Sequence, residues 1–288
     1  MLFPYDNPMP IRIGYKYSLP VHSSYATYHS HPQCEIYYFH GGSCTFVIGD
    51  RLYVMTPGDL IIMDGMTLHF PKIDPAVAYT RTTIHFDRSY VEGLLTLPAP
   101  IDLLGPFDRL RNHVINLNEA ERDEVEAMLQ RLHELGAVKA PVSYNRFCLH
   151  FADLLLFIYE RCERSLAEPR KPLSEKEKNV QKIISYIEAH YEQDIHLDGL
   201  ESELHLDKHY LSRIFKEVTG VTIFTHLYTR RINQAQLLFM IEPNETVTNV
   251  CYRVGFKHLP HFSRIFKKYV GLTPESFRKT RPKVGKES

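Results

Sequence analysis

Along residues 1–105, short apolar runs alternate with turn signals. Side chains that favour strands, β-branched and aromatic, are concentrated in Glu35–Phe39, Thr45–Ile48, Arg51–Met55, Asp59–Met63 and Tyr79–Phe86. Turn-forming pairs such as Gly49-Asp50 and Pro57-Gly58 lie between these runs. Closely spaced hairpins without intervening helices predict that residues 1–105 form an antiparallel β jelly roll, a small barrel.

The period of the apolar residues changes in the middle of the chain. Val125, Leu129 and Leu132 recur at three- and four-residue steps, as on one face of an amphipathic helix. A second predicted helix is apolar on more than one face, through Phe147, Leu149, Phe151, Leu154, Leu155, Leu156, Phe157, Ile158 and Cys162. Residues 106–165 are therefore predicted to be accessory helices that either mediate dimerisation or cover the β-domain. The charged, proline-containing stretch 166–178 is predicted to be a linker.

The last third of the chain contains an internal repeat. The segment Tyr210–Gly220 recurs 51 residues later as His261–Gly271, and six of the eleven positions are identical. Both copies contain Ser-Arg-Ile-Phe-Lys, and both end in glycine, which readily ends a helix. Because two copies are too few for a solenoid, they predict an all-α domain over residues 179–281. This domain would contain two helix-turn-helix units joined by a long helix over Phe224–Met240.

Each copy predicts a helix with one apolar face and one polar, basic face. In the first copy, Asp207 is a favourable N-cap residue, and Leu211, Ile214 and Phe215 share the apolar face. A recognition helix directs its polar face to the bases and phosphates of the major groove. The residues predicted to contact DNA in this way are His209, Ser212, Arg213 and Lys216 in the first copy and Pro260, His261, Arg264, Lys267 and Lys268 in the second.

The charge distribution supports a DNA-binding function over the alternative of two solvated amphipathic helices. The 288 residues include 34 basic and 34 acidic side chains, so the formal net charge is zero. The segment His205–Ser288, in contrast, contains 15 basic and 6 acidic residues. A basic C-terminal region behind an acidic N-terminal one is typical of a phosphate-binding surface on a single domain.

Length and composition indicate a two-domain globular protein. Its 288 residues exceed one ordinary domain of about 100–200 residues, and 44% of them are hydrophobic, enough for sizeable cores. No apolar run approaches the roughly 18 residues that span a membrane, and the N-terminus lacks the features of a signal peptide. The five scattered cysteines suit a reducing compartment. We therefore expect a cytoplasmic protein.

Four residues of the predicted β-domain have the spacing of a ligand cluster. On an extended strand, His29, His31 and Glu35 would share a face, and His69 would join them from another strand. This set suits a divalent transition metal, but the interpretation we favour is a metal-free pocket or hydrogen-bonded core. His85, on a later strand, is predicted to be a core or pocket residue.

The same spacing resembles the first motif of the cupin superfamily, which here ends at Gly42. The second cupin motif is matched only by His69, because Asp64 and Met66 stand where the superfamily usually carries Pro and Gly. The resemblance implies a small jelly-roll barrel whose polar cluster often holds a metal.

The C-terminal region resembles the DNA-binding domain of the AraC/XylS family of bacterial transcription regulators over Val180–Arg281. The resemblance is carried by Tyr228-x2-Arg231-Ile232-x2-Ala235, Val254-Gly255-Phe256, Phe262-Ser-Arg-x-Phe-Lys267 and Gly271-x-Thr273-Pro274-x2-Phe277-Arg278. It implies that the residues facing bases are His209, Ser212, Arg213, Pro260, His261 and Arg264. The sequence departs from the family at Glu201 and Cys251, where a small Ala is usual, and at Asp207, where Ser is usual.

The two resemblances together predict a regulator of transcription rather than an enzyme. They imply a cupin-like sensing domain, a homodimer, RNA polymerase as a partner, and activation in response to a small molecule, with carbohydrates as the favoured effector class. No cofactor is expected to be required. One alternative is a ligand-independent regulator whose barrel only dimerises. The other is a metal-dependent cupin enzyme with His29, His31, Glu35 and His69 as ligands.

Overall fold

The computed structural model describes residues 10–19, 28–94, 101–164 and 172–279. It forms two compact units that divide between Pro172 and Leu173, except that the short segment Asp50–Leu52 groups with the second unit. We call them the N-terminal and C-terminal units. None of the helices in the described ranges is long and apolar enough to cross a membrane.

The N-terminal unit is built on two antiparallel sheets, as predicted. Its strands are β1 (Ile11–Leu19), β2 (Cys34–Gly41), β3 (Cys44–Ile48), β4 (Arg51–Val54), β5 (Leu60–Asp64), β6 (His69–Ile73), β7 (Tyr79–Phe86) and β8 (His113–Ile115). One sheet has the order β1-β7-β2-β5-β8, and the other has the order β4-β3-β6. Side chains alternate between the faces: Tyr37 and Phe39 pack in the core shared by the two sheets, whereas Ile36 and Tyr38 pack in a second core.

Helices cover the outer face of the five-stranded sheet. They are α1 (Arg88–Leu94), α2 (Gly105–Leu110), α3 (Glu119–Gly136) and α4 (Pro141–Arg164). Helix α3 begins at a capping box formed by Asn118 and Glu121, and its Val125 and Leu129 share one core with Phe151 of α4 and Ile36 of the sheet. The middle helices therefore cover the β-domain, which was one of the two interpretations of their apolar faces. The dimer contact stays a prediction.

Two strands, β1 and β8, were not predicted from the sequence, and of β6 only a strand at His69 was expected. Strand β6 contains Pro71, which lacks a backbone N–H, and it is tolerated there because β6 pairs with β3 at the edge of its sheet. Strand β1 contains a register shift between Gly14 and Tyr17, where Lys16 has a positive φ of 43°. These strands are stabilised by pairing rather than by their composition.

Between Glu175 and Lys279, all the regular secondary structure of the C-terminal unit is α-helix. The predicted pair of helix-turn-helix units is confirmed. Its helices are α5 (Glu175–His190), α6 (Leu197–Leu204), α7 (Lys208–Thr219), α8 (Ile223–Ile241), α9 (Val247–Arg253), α10 (Leu259–Val270) and α11 (Pro274–Lys279). The helix-turn-helix units are α6–α7 and α9–α10, and α8 links them. The two recognition helices, α7 and α10, end at Gly220 and Gly271 in the left-handed conformation, with φ of 80° and 81°.

Helix α5 begins inside the stretch that was predicted to be a linker. A capping box between Ser174 and Glu177 starts the helix at Glu175, so the last four residues of 166–178 are helical. Residues 166–171 of this stretch lie outside the described residues. The capping box is a local sequence signal for the start of a helix, and the linker prediction, which rested on charge and proline content, overlooked it.

A junction of buried groups connects the two helix-turn-helix units. Arg231 of α8 is buried, and its guanidinium donates to the carbonyl oxygens of Tyr191 and Gln193 at 2.7 and 2.6 Å. It also lies over the ring of Phe256, 5.5 Å from the centroid. The neighbouring Gly255 has a φ of +88°, and a Cβ there would lie 2.7 Å from the carbonyl oxygen of Tyr191. The end of α5 and the turn before α10 therefore approach each other at backbone distance.

Replacing Gly255 by Ala is expected to destabilise the C-terminal unit more than replacing Gly271. Both positions have a positive φ, so Ala costs about 1–2 kcal/mol of unfolding free energy at either one. Only at Gly255 would the added Cβ also collide with backbone oxygens, since nothing lies within 4 Å of a Cβ at Gly271. We expect an additional loss of about 1–3 kcal/mol for Gly255→Ala. Denaturant titration of both variants checks this, and equal losses would contradict the close approach.

Candidate ligand cluster and candidate nucleic-acid interface

The histidines and glutamate singled out from the sequence come together in the N-terminal unit. Glu35 lies at the start of β2, opposite His85 in the register with β7, and His69 begins β6. His29 and His31 do not lie on a strand, in contrast to the expectation. They belong to the segment before β2, where His29 forms an isolated bridge with His69 through backbone hydrogen bonds of 3.2 and 3.1 Å.

One carboxylate oxygen lies at the centre of this cluster. Glu35 Oε2 is 3.1 Å from His31 Nε2, 3.3 Å from His69 Nε2 and 3.4 Å from His85 Nε2. Glu35 and His69 are buried, with 3% and 1% of their surface exposed. His85, which was expected to be a separate core or pocket histidine, therefore belongs to the same cluster.

The other ring nitrogen of two histidines is held by the backbone. His31 Nδ1 lies 3.1 Å from the carbonyl oxygen of Gln33, and His69 Nδ1 lies 2.8 Å from that of Thr67. A carbonyl oxygen only accepts, so each Nδ1 donates, and in a neutral ring the Nε2 atom then carries a lone pair. Both lone pairs face Glu35, and His69 Nε2 has no partner in hydrogen-bond geometry. The cluster requires a proton or a cation between these atoms.

The electrostatics of Glu35 agree with a positive charge in the cluster. Burial by itself would raise the pKa of this carboxyl, but the contacts with His31, His69 and His85 outweigh it and hold the pKa well below its usual range. Glu35 is therefore an anion in the interior of the unit. A buried anion of this kind is stable only when compensated by positive charge or by hydrogen-bond donors.

The donor set and its dimensions fit a divalent transition metal. One ligand atom from each of His29, His31, Glu35 and His69 lies within 4.8 Å of the others. A tetrahedral ion with bonds of about 2.0–2.1 Å separates its ligand atoms by about 3.3 Å, close to the distances of 3.1 and 3.3 Å from Glu35 Oε2 to His31 Nε2 and His69 Nε2. Metal-binding histidines also donate their second N–H to a carbonyl oxygen, as His31 and His69 do here.

Three further polar groups in the space between the sheets were missed by the sequence analysis. The hydroxyl groups of Tyr37 and Tyr79 hydrogen-bond to each other, and the guanidinium carbon of Arg81 lies 5.9 and 5.8 Å from their ring centroids. Burial raises the pKa of both tyrosines, so they stay protonated donors. Strand periodicity could have found them, because Tyr37 is two residues from Glu35, and Tyr79 and Arg81 lie at even offsets from His85.

In the first recognition helix, α7, the predicted reading face is open to solvent. His209, Arg213 and Lys216 are exposed, and the opposite face buries Leu211 in the core. Ser212 is half-buried, and its hydroxyl donates to the carbonyl oxygen of Lys208 at 2.9 Å. The three exposed side chains are thus available for contacts outside the chain, whereas Ser212 has a partner within its own helix.

The second recognition helix, α10, differs from the first at its beginning. Pro260, Arg264, Lys267 and Lys268 are exposed. His261 is half-buried, and its ring packs edge-on against Tyr228 and Phe256 at centroid distances of 5.4 and 5.5 Å. Burial lowers the pKa of His261. Its ring therefore packs against the linking helix and the turn before α10, in addition to facing outward as the sequence pattern indicated.

The unusual Glu201 has a structural role at the start of α7. Its Oε1 accepts from the backbone N–H of Lys208 at 3.4 Å, close to Asp207, which caps the same helix. Two acidic groups therefore lie at the positive end of the α7 dipole. The second departure, Cys251, is buried in the core of the second helix-turn-helix unit, where a small side chain fits.

The basic side chains of the C-terminal unit fall into two sets. Most of those outside the recognition faces pair with carboxylates, as in Lys208–Asp198, Arg230–Glu188, Arg253–Glu242, Lys257–Asp194 and Arg278–Glu275. Those on the recognition faces form no ion pair with any residue in the described ranges; they are Arg213, Lys216, Arg264, Lys267 and Lys268. Both recognition helices thus carry exposed cations without a carboxylate partner in the described residues. This is the charge arrangement of a nucleic-acid interface.

Two family models match this chain. Residues 15–141 match the AraC-like ligand binding domain, and residues 200–280 match a helix-turn-helix domain. The first match covers most of the sheet-based N-terminal unit together with α3, and the second covers both helix-turn-helix units.

The curated relatives are matched over only part of their own length. An uncharacterised HTH-type transcriptional regulator in the cgkA 5' region of Pseudoalteromonas carrageenovora is 34% identical over 101 residues, which cover 35% of this chain and 59% of that protein. The bifunctional transcriptional activator/DNA repair enzyme AdaA of Bacillus subtilis is 29% identical over 111 residues, which cover 38% of this chain and 52% of AdaA. The chain thus spans little more than half the length of these two relatives.

The comparison with solved structures gives matches with TM-scores below 0.5. ToxT from Vibrio cholerae, bound to an unsaturated fatty acid, is 14% identical, with a TM-score of 0.41 and coverage of 98% of this chain and 99% of ToxT. The C-terminal domain of AraT, a response regulator from Geobacillus stearothermophilus, is 28% identical, with a TM-score of 0.37 and coverage of 40% and 94%.

Asp207→Ala is expected to destabilise α7, and Asp207→Ser is expected to preserve it. The Asp207 carboxylate accepts from the backbone N–H groups of His209 and Tyr210 at 3.0 and 2.9 Å. Loss of such a cap costs about 0.5–2 kcal/mol of unfolding free energy, whereas Ser caps a helix about as well as Asp. Denaturant titration of the two variants measures the difference. An Ala variant as stable as the Ser variant would show that the cap contributes nothing.

Proposed function

This chain belongs to the AraC family of DNA-binding transcription regulators, and we propose that it binds operator DNA through α7 and α10 under the control of an effector in its N-terminal unit. A single observation carries the DNA-binding part. The cations on the two recognition faces lack carboxylate partners in the described residues, whereas most of those elsewhere in the C-terminal unit are paired with carboxylates. DNA phosphates supply the missing negative charge.

The DNA contacts divide by side-chain chemistry. Arg213 and Arg264 carry planar guanidinium groups that can donate two hydrogen bonds to a guanine, so we assign them to base reading together with His209 and Pro260. Lys216, Lys267 and Lys268 carry point charges near the ends of their helices, so we assign them to phosphates. Two recognition helices in successive major grooves, about 34 Å apart, would let one chain cover close to two turns of DNA.

The effector part of the proposal rests on the match to a ligand binding domain and on the polar groups between the sheets. Imidazoles, a carboxylate, tyrosine hydroxyls and a guanidinium can together donate to and accept from a hydroxyl-rich molecule. We therefore keep a carbohydrate as the proposed effector, activation as the proposed outcome, a homodimer as the assembly and RNA polymerase as the protein partner. We propose no enzymatic activity, because the matched relatives are named as transcriptional regulators and the one with a repair activity matches over only 111 residues.

Arg213→Ala is expected to weaken binding of operator DNA by about 1–3 kcal/mol and to relax the preference at one base position. Lys268→Ala is the matched control, since loss of a phosphate contact weakens binding to all sequences evenly. The operator is first selected from a random duplex library with the full-length protein. Titrations with the wild type and the two variants then give, for each protein, the ratio of the dissociation constants for the scrambled and the selected duplex. A wild-type ratio in Arg213→Ala would refute its base-reading role, and a library without any enriched sequence would refute the proposed function.

We also propose that the cluster around Glu35 holds a divalent transition metal through His29, His31, Glu35 and His69. The observation that favours this over a metal-free pocket is that His31 and His69 direct lone pairs at a buried carboxylate while their Nδ1 atoms are held by carbonyl oxygens. A bound ion would supply the positive charge that these atoms require and a Lewis acid for an oxygen of the effector. His85, beside the four, would contact that effector.

The untagged full-length protein is expected to contain about one equivalent of a divalent transition metal per chain, measured by elemental mass spectrometry. His69→Ala is expected to lose it, because this removes a buried nitrogen donor. His133→Ala, an exposed histidine of α3 in the same unit, is the control and should retain the metal. A protein without metal after supplementation with zinc, cobalt or iron would establish the metal-free pocket. The DNA-binding proposal would stand in either case.

A further inference from the structure

The first turn of α10 presents an apolar ring to solvent where α7 presents an imidazole. Pro260 is the second residue of α10 and is exposed, and in the repeat it corresponds to His209, which is also exposed. The other apolar residue of this turn, Leu259, packs against the core of the second helix-turn-helix unit. The ring of Pro260 is therefore the apolar surface that the start of α10 offers to a molecule outside the chain.

Pro260 lies on the same face of α10 as the basic residues assigned to DNA. Arg264, Lys267 and Lys268 follow it at steps of four, seven and eight residues, and all three are exposed. The adjacent His261 is half-buried, and its ring packs edge-on against the linking helix α8. A major groove that meets the guanidinium of Arg264 therefore also meets the prolyl ring, one helical turn earlier.

The chemistry of a prolyl ring restricts the base edge that it can contact. The ring has no hydrogen-bond donor or acceptor, because its nitrogen carries no hydrogen and the nitrogen lone pair is delocalised into the peptide bond. In the major groove, guanine, adenine and cytosine present donors and acceptors, and only thymine adds an apolar group, its C5 methyl. Against the other bases the ring would exclude water from polar edges without replacing the lost hydrogen bonds.

We infer that Pro260 reads the C5 methyl of a thymine in the half-site bound by α10, beside the base read by Arg264. This inference rests on the proposed function and specifies the base that one of its reading residues selects. Four residues of a helix rise by about 6 Å, and successive base pairs are about 3.4 Å apart, so the thymine lies about one or two base pairs from the base that Arg264 reads.

The first helix-turn-helix unit provides an internal comparison. His209 occupies the position of Pro260 in the repeat, and Arg213 occupies that of Arg264. The imidazole of His209 carries a donor and an acceptor when neutral and two donors when charged, so it selects a base by hydrogen bonds. Removal of a thymine methyl should therefore weaken binding in the half-site of α10 and have no such effect at the position read by His209.

The test replaces single thymines by uracil in the operator selected with the full-length protein. Uracil pairs with adenine as thymine does and lacks only the C5 methyl, so the protein itself is unchanged. The positions at which Arg213→Ala and Arg264→Ala lose their preference identify the half-site of each recognition helix. The wild type is expected to lose affinity about fourfold at one thymine within about two base pairs of the Arg264-dependent position, as expected for the burial of one methyl group.

Two protein variants assign the methyl contact to a residue. Pro260→Ser removes the apolar ring and is expected to bind the thymine and uracil duplexes equally. His209→Ser is the matched change in the first helix-turn-helix unit and should retain the wild-type difference between the two duplexes. Circular dichroism and denaturant titration establish that each variant is folded, and the uracil duplexes test the wild type without any substitution in the protein.

Three results would overturn the inference. They are a half-site of α10 without a thymine within about two base pairs of the Arg264-dependent position, a thymine there whose methyl contributes no more than the other methyls of the operator, and a Pro260→Ser variant that keeps the wild-type difference. Each of them leaves the selected operator, and hence the proposed function, intact. A library without any enriched sequence would refute both, because no base would then be read.

Discussion

The C-terminal unit depends on one buried cation. Arg231 lies in α8 where this helix passes from the first helix-turn-helix unit to the second, and a guanidinium without partners would be costly at that depth. Two backbone carbonyls at the end of α5 and the ring of Phe256 take the place of solvent. These contacts require the end of α5 and the turn before α10 to approach closely, which only Gly255 allows. The position of the turn before α10 relative to the end of α5 therefore depends on a few residues around one charge.

The N-terminal unit contains a buried charge of the opposite sign, and the structure compensates it differently. Arg231 is satisfied by neutral acceptors that cannot change their state. Glu35 is surrounded by His31, His69 and His85, whose charge depends on protons or on a bound ion. A site of this kind can respond to what enters the space between the sheets, whereas the Arg231 junction is permanent. The two units thus compensate a buried charge in two ways, with ionisable side chains in the first and with neutral acceptors in the second.

Much of the fold could be predicted where local pattern and tertiary environment agree. The repeated motif predicted α7 and α10 together with their glycine ends, because helix period, cap and apolar face all depend on neighbours within a few residues. Strand β1 was not predicted and β6 was expected only at His69, since Gly14, Lys16 and Pro71 are unfavourable in isolated strands. Their stability comes from β7 and β3, which are distant in sequence. The sequence showed that α4 is apolar on more than one face, but whether one of these faces covered the sheet depended on packing.

The candidate sites show the same division. The sequence by itself determined which side chains could do chemistry and which face of an element each would occupy, because these follow from residue type and from periods of two and 3.6 residues. Only the tertiary structure decided what each face meets. It brought His85 to Glu35 through strand register, turned His261 against Tyr228, and placed Glu201 at the start of α7. Such contacts join residues far apart in the chain, and their distances depend on packing between elements, which no local pattern contains.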